Sequence, residues 1–172
     1  MAVGNLEFIK STSGTSVTNF DITDIFSSNY DVYQIQIIEY INDDLSDFFN
    51  MRFLDSGGTV ISATEYSWAN LNMKAYGAFT ENKSASDSAI QNIGYSQSDA
   101  DSTVGNNIII YNPFDSSSYT FCSWQTASFV AGFGGLGAKA IGVHKSAETI
   151  SGVRFYFGNS ANSIKANVYG VK

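Results

Sequence analysis

The sequence holds one cysteine, one proline and one histidine in 172 residues, and only 15% of it is charged. A lone Cys122 forms no intramolecular disulfide and supplies no multi-cysteine zinc module, which excludes both a disulfide framework and a structural zinc fold of that kind. A lone His144 means that any histidine-centred triad or histidine-ligated metal has to use that residue. Its nearest partners along the chain are Lys145 and Glu148, and no G-x-S-x-G nucleophile motif accompanies it. Nine Lys and Arg against sixteen Asp and Glu leave a formal charge of −7. Nucleic-acid affinity is built mainly from basic side chains, so nucleic acid is not an expected partner. No apolar run reaches the roughly 18 residues of a membrane span, and MAVGNLEFIK lacks a basic segment followed by an apolar one. Neither membrane insertion nor an evident secretory signal is expected, and synthesis in a cytoplasm fits.

What is present supports a substantial core. Apolar residues make up 44% of the chain and aromatic ones 15%, while Ser, Thr and Asn together supply about three in ten. One domain over residues 1–172 is the expectation for this length. The dominant periodicity is two, the period of a strand. Tyr33, Ile35 and Ile37 alternate with Gln34 and Gln36; Phe49, Met51 and Phe53 alternate with Asn50 and Arg52, and Asp55-Ser56-Gly57-Gly58 makes a turn. These two segments read as neighbouring strands, joined by a polar loop at 42–47. Similar alternation runs through Asn107–Tyr111, Tyr119–Thr126, Ala138–Val143, Val153–Phe157 and Ala166–Tyr169, with further strands at Leu6–Lys10 and Val17–Ile22. The pattern predicts an all-β chain, an antiparallel β-sandwich of about eight to ten strands. One turn of helix is predicted over Asp21–Ser27, and long exposed loops over Asn82–Asp87 and Ser96–Asn107.

Several residues carry candidate chemistry. Gly132-Phe133-Gly134-Gly135-Leu136-Gly137 matches G-x-G-x-x-G, but the following Ala138–His144 alternates as a strand, so a glycine-rich turn is expected rather than a dinucleotide site. Cys122 lies in an aromatic strand, the setting of a small core residue rather than a thiolate nucleophile. Calcium takes oxygen ligands, and Asp43, Asp44 and Asp47, or Asp99 and Asp101, could supply them, although neither group reproduces an EF-hand loop. A pair of carboxylates could also serve a glycosidase, but no pair can be chosen from spacing alone. Flat aromatic faces bind flat ligands, and Tyr66, Trp68 and Tyr76 lie where alternation weakens, between Asn70 and Asn72; they are the candidates for surface display and ligand contact. Packing beneath a loop is the alternative role for all three.

Both ends of the chain resemble a family. Leu6-Glu7-Phe8-Ile9-Lys10, a Ser/Thr-rich turn, Phe20-Asp21-Ile22 and Tyr30-Asp31-Val32-Tyr33-Gln34-Ile35 look like small virion proteins of tailed bacteriophages, notably those of marine phages. Ile150-Ser151-Gly152-Val153-Arg154-Phe155-Tyr156-Phe157, a polar turn and Ala166-Asn167-Val168-Tyr169-Gly170-Val171 resemble the closing strands of the same group. The resemblance covers about a third of the chain and brings no catalytic residue. It implies a jelly-roll-like sandwich on a phage particle, made in the host cytoplasm and present in many copies, with capsid or tail proteins as partners and a homo-oligomer as one form. The resulting expectation is a non-enzymatic virion structural protein, a capsid decoration or knob, since no repeat, coiled coil or glycine-rich stalk is read. The alternatives are a tail-fibre or receptor-binding head, and a calcium-assisted carbohydrate-binding module directed at a host-surface glycan.

Overall fold

The computed structural model describes residues 5–43, 47–96 and 104–172, and these hold ten strands and no helix. They are β1 (Leu6–Ile22), β2 (Val32–Asn42), β3 (Asp47–Asp55), β4 (Tyr66–Lys74), β5 (Thr80–Asp87), β6 (Ile90–Ser96), β7 (Gly105–Tyr111), β8 (Thr120–Val130), β9 (Gly134–His144) and β10 (Ile150–Val171). All their pairings are antiparallel, in the order β5-β4-β9-β8-β7-β2-β10-β3-β6, with β1 beside β10. The all-β antiparallel sandwich predicted from the period-two pattern, with the jelly-roll-like form that the resemblance implies, is the observed architecture.

The two layers part along β10. Its 22 residues keep β1 on one edge, from Leu6 opposite Val171 to Ile22 opposite Val153. On the other edge its C-terminal half, Ala161–Val171, pairs with β2, and its N-terminal half, Ile150–Phe157, pairs with β3. The β1/β10 ribbon is therefore a spine from which one sheet leaves through β2 and the other through β3. β2 and β3 are thus not neighbours, contrary to the sequence expectation; β10 supplies the partner of each. Register shifts at Val17/Asn19 and Ala161/Ser163 fall where the sheets diverge, and such irregularities bend a strand.

Between the layers lies one connected apolar core, in which Ile35, Ile37 and Tyr40 of β2, Phe49, Met51 and Phe53 of β3, Trp124 of β8 and Phe155 of β10 are closed to solvent. Tyr40 packs edge-on against Phe49 and stacks on Phe157 at 4.9 and 5.2 Å between ring centres. β6 lies across β8 and β4, closing the sandwich on that side.

Other local expectations change. Residues 23–27 carry no helical turn: Asp24 has a φ of 57°, outside the helical region, and the Ile25 and Phe26 amides donate to the Ser151 carbonyl of β10 instead. Asn82–Asp87 is not a loop but most of β5, an edge strand held by β4. Val130–Gly134 is the tight connection of the β8–β9 hairpin, with Gly132 at φ 78° and Gly134 at φ 126°, conformations that a side chain would strain. The G-x-G-x-x-G match falls on this glycine-rich turn and on the first residues of β9, in keeping with the turn that its context predicts.

Candidate functional site

One face of the sheet β5-β4-β9-β8-β7-β2 covers the core and the other meets solvent. Strand register sorts the solvent face into rows running across the strands. In the first row lie Val32, Tyr111, Phe121, Val143 and Ser67; in the second, Gln34, Ile109, Ser123, Ile141, Ala69 and Lys83; in the third, Gln36, Asn107, Gln125, Lys139, Leu71 and Glu81. The third row crosses five strand spacings of ~4.8 Å, about 24 Å in all. A polar row therefore runs beside a row that carries Ile109, Ile141 and Ala69 between Gln34 and Lys83, and that row beside one that carries Tyr111 and Phe121.

Two adjoining depressions of about 630 and 500 Å³ lie on this face and share Ala69, Ser123 and Ile141 in their lining. Ile141 is 65% exposed and Phe121 44%, and Tyr111 and Leu71 are exposed as well. Apolar groups left in water at the floor of a depression gain free energy when a ligand covers them, by ~25 cal/mol per Å². The polar members are held in place: Gln34 Nε2 donates to Asn107 Oδ1 at 2.5 Å, and the Tyr111 and Ser123 hydroxyls lie 3.4 Å apart. Lys83 sits 2.9 Å from Glu81 and holds its carboxyl below the usual carboxylate range, so Glu81 stays ionised. Lys139 adds a second cation to the same face. The floor is amphipathic and carries Lys83 and Lys139 against Glu81.

The aromatic candidates from the sequence lie elsewhere. Tyr66 and Trp68 face inward from β4, so surface display is corrected for both. Tyr66 accepts a hydrogen bond from the Phe53 amide and donates to the Ile61 carbonyl, while Trp68 Nε1 donates to Asp87 at 3.1 Å. Both satisfy a polar group inside the core, as a buried Tyr or Trp requires. Tyr76 is exposed, but at the opposite end of the sheet, where its ring lies 5.3 Å from that of Phe133. The residues that line the depressions escaped the sequence reading because β9 inverts the usual pattern. Its small residues Ala138, Ala140 and Gly142 point inward and its larger Lys139, Ile141 and Val143 point out. The legible signal is this run of small residues opposite bulky ones.

His144 ends β9 with its side chain closed to solvent, and Nε2 lies 3.3 Å from Glu65 Oε2 and 3.7 Å from Glu148 Oε1. Glu148 is the partner named from the sequence; Glu65 arrives from the other side through the Tyr66–His144 rung of β4 and β9. His144 Nδ1 is buried without a hydrogen-bond partner among the described residues, an arrangement that costs about 1–3 kcal/mol. Cys122 points into the core two rungs from His144, where burial pushes its thiol far up, so it supplies no thiolate for a Cys–His dyad. Of the acidic calcium candidates, Asp43 is exposed; Asp44, Asp99 and Asp101 and the Asp47 side chain lie outside the described residues.

No family model matches the chain, and no curated protein matches it. Among solved structures, the marine PL-14 alginate lyase from Aplysia kurodai is 6% identical, with 85% of this chain and 70% of that one covered and a TM-score of 0.37. The CBM2 module of the evolved Dit of Lactobacillus casei BL23 phage J-1 is 12% identical, with 94% and 70% covered and a TM-score of 0.26. The alginate lyase from Alteromonas sp. 272 is 6% identical, with 99% and 92% covered and a TM-score of 0.27. The expectation of a chain without enzymatic activity is withdrawn against the first of these, a lyase. At that TM-score the likeness assigns this chain no activity of its own.

Proposed function

We propose that the chain is a saccharide-binding β-sandwich that lays an extended, hydroxyl-rich polysaccharide across the solvent face of β7, β8, β9 and β4. The observation that carries this reading is the ordering of rows on that face. A sugar ring has a C–H face that is apolar and an edge of hydroxyls. Ile109, Ile141, Phe121 and Tyr111 offer surface for the first, and Asn107, Gln125 and Lys139 offer donors and acceptors for the second. Lys83 and Lys139 against Glu81 leave the face only weakly charged, which suits a neutral or weakly charged chain, and the net charge of −7 disfavours a polyanion.

Calorimetry against a panel of neutral and acidic bacterial and algal polysaccharides tests the reading, with chain length followed in the same samples so that cleavage is seen if it occurs. The expected result is binding to a neutral member of the panel, weakened about tenfold by Phe121→Ala, since covering that ring contributes on the order of 1.5 kcal/mol. No binding across the panel, or binding that ignores Phe121→Ala and Gln125→Ala, contradicts it.

A second reading, placement on a phage particle as a decoration, knob or receptor-binding head, is favoured by the aromatic end of the same sheet. Phe133 is 67% exposed and Phe79 64%, with Tyr76 and Phe129 beside the same hairpin turns. Grouped exposed aromatics suit docking on a capsid or tail subunit. Mass spectrometry of purified particles finding many copies supports this reading, and finding none sinks it. The two readings are compatible, because a particle-bound protein can hold a host glycan on its free face.

A further inference from the structure

We propose that Glu65, His144 and Glu148 form a binding site for a divalent transition cation of the zinc class, which bridges the β3–β4 and β9–β10 connections. The first argument is geometric. Ligand bonds of ~2.0–2.2 Å at tetrahedral angles place donor atoms about 3.3–3.6 Å apart. Nε2 of His144 lies 3.3 Å from Glu65 Oε2 and 3.7 Å from Glu148 Oε1, and all three donor atoms lie within 4.8 Å of one another. Both glutamates are part-exposed, so a small rotation of either side chain closes the third edge.

The second argument is charge. Two carboxylates converge on one imidazole nitrogen, which has a single N–H to give. Among the described residues no Lys or Arg forms an ion pair with either. Lys145, the nearest cation in sequence, donates its Nζ to the Ala85 carbonyl at 2.6 Å, and Arg52 donates to Ser88 and covers the Tyr156 ring. A divalent cation neutralises what these groups leave unbalanced.

The third argument is the histidine itself. His144 is fully buried and its ring lies beside that of Tyr66, 5.0 Å between centres, so packing rather than solvent sets the direction of Nε2. Nε2 faces both carboxylates. The backbone holds this arrangement before any ion arrives: the Lys145 amide donates to the Glu65 carbonyl at 2.8 Å, and the Ile150 amide, two residues past Glu148, donates to the Pro113 carbonyl at 2.7 Å.

Imidazole with two carboxylates suits zinc and its neighbours, whereas calcium takes six to eight oxygens and magnesium keeps most of its waters. Three protein ligands leave a fourth position on the glutamate side, facing solvent, where a water would sit.

Untagged protein stripped with a chelator and titrated with zinc chloride by calorimetry, then with cobalt(II) by visible absorption, tests the site. The expected outcome is one zinc per chain, a cobalt spectrum of tetrahedral intensity, and a thermal midpoint that rises with zinc but not with equal magnesium or calcium. Glu65→Gln and Glu148→Gln, both at part-exposed positions, should each weaken zinc at least tenfold, and the double variant should abolish the cobalt spectrum. Circular dichroism confirms that the variants fold; His144→Gln is left as a supplement because its ring is part of the core. No zinc binding by the parent protein, or binding unchanged in both glutamate variants, overturns the proposal. Neither result bears on the polysaccharide face, which uses none of these residues.

Discussion

The Tyr66 hydroxyl is engaged on both sides, by the Phe53 amide at 3.1 Å and the Ile61 carbonyl at 3.0 Å, and it fastens the β3–β4 connection to β3. Tyr66→Phe keeps the ring and removes both bonds, leaving a buried amide unpaired; urea denaturation should show a loss of about 1–3 kcal/mol. Gly152 is constrained more severely. A Cβ there would meet the Ile22 carbonyl oxygen at 2.3 Å, a backbone atom with no rotamer to yield. Gly152→Ala should therefore cost about 2 kcal/mol or more and lower the urea midpoint, and an unchanged midpoint would contradict the close β1–β10 approach. Glu39 gives a pH dependence with a definite sign. Lys165 at 2.7 Å and the Ser163 hydroxyl both donate to its carboxylate and hold it below the usual range. The folded state thus prefers the ionised form, and its contribution is complete above the ordinary glutamate range and lost as pH falls through the lowered folded value. Glu39→Gln should flatten that part of the acid-side decline in stability, as read from urea midpoints at neutral and acid pH; a variant with the parent's slope would contradict it.

At the scale of elements, legibility followed polarity. Strands whose inner face is apolar, such as β2, β3, β7 and the first half of β10, stood out in the sequence because their alternation matches a covered core. In β4 the pattern is scrambled: Asn70 and Asn72 point inward beside Trp68, while Leu71 and Met73 point out. That region resembled weak alternation, and its aromatics looked available when they are not. β5 has no large apolar residue in TENKSASD and is a strand only because β4 offers an edge to pair with, a tertiary cause that composition does not carry. The long β1 and β10 each read as two strands, because polar runs at 11–16 and 158–163 interrupt their apolar residues. Those runs lie on the part of the ribbon where the sheets diverge. Stability should be distributed accordingly. Amide hydrogen exchange is expected to be slowest in β10, paired along both edges and lining the core, and fastest among the strands in β5. Comparable protection in the two would contradict the strand order.

For the whole molecule, the low charge and the many Ser, Thr and Asn residues told more about partners than about the site. They argued against a nucleic-acid surface as an expectation, but they could not reveal that three strands would align Asn107, Gln125 and Lys139, 18 and 14 residues apart in sequence, into one row. That row exists only once the β7–β8 and β8–β9 hairpins fix the register. His144 shows the same limit: Glu148 was visible four residues away, while Glu65 came within reach through the β4–β9 pairing. The central claim is that the row-ordered face binds a saccharide chain. It is tested most directly by titrating isotope-labelled protein with oligosaccharides from a bound polysaccharide and following amide and side-chain resonances. The account predicts shifts concentrated at Asn107, Tyr111, Phe121, Gln125, Lys139 and Ile141. Shifts gathered instead around Tyr76 and Phe133, or none at saturating ligand, would contradict it.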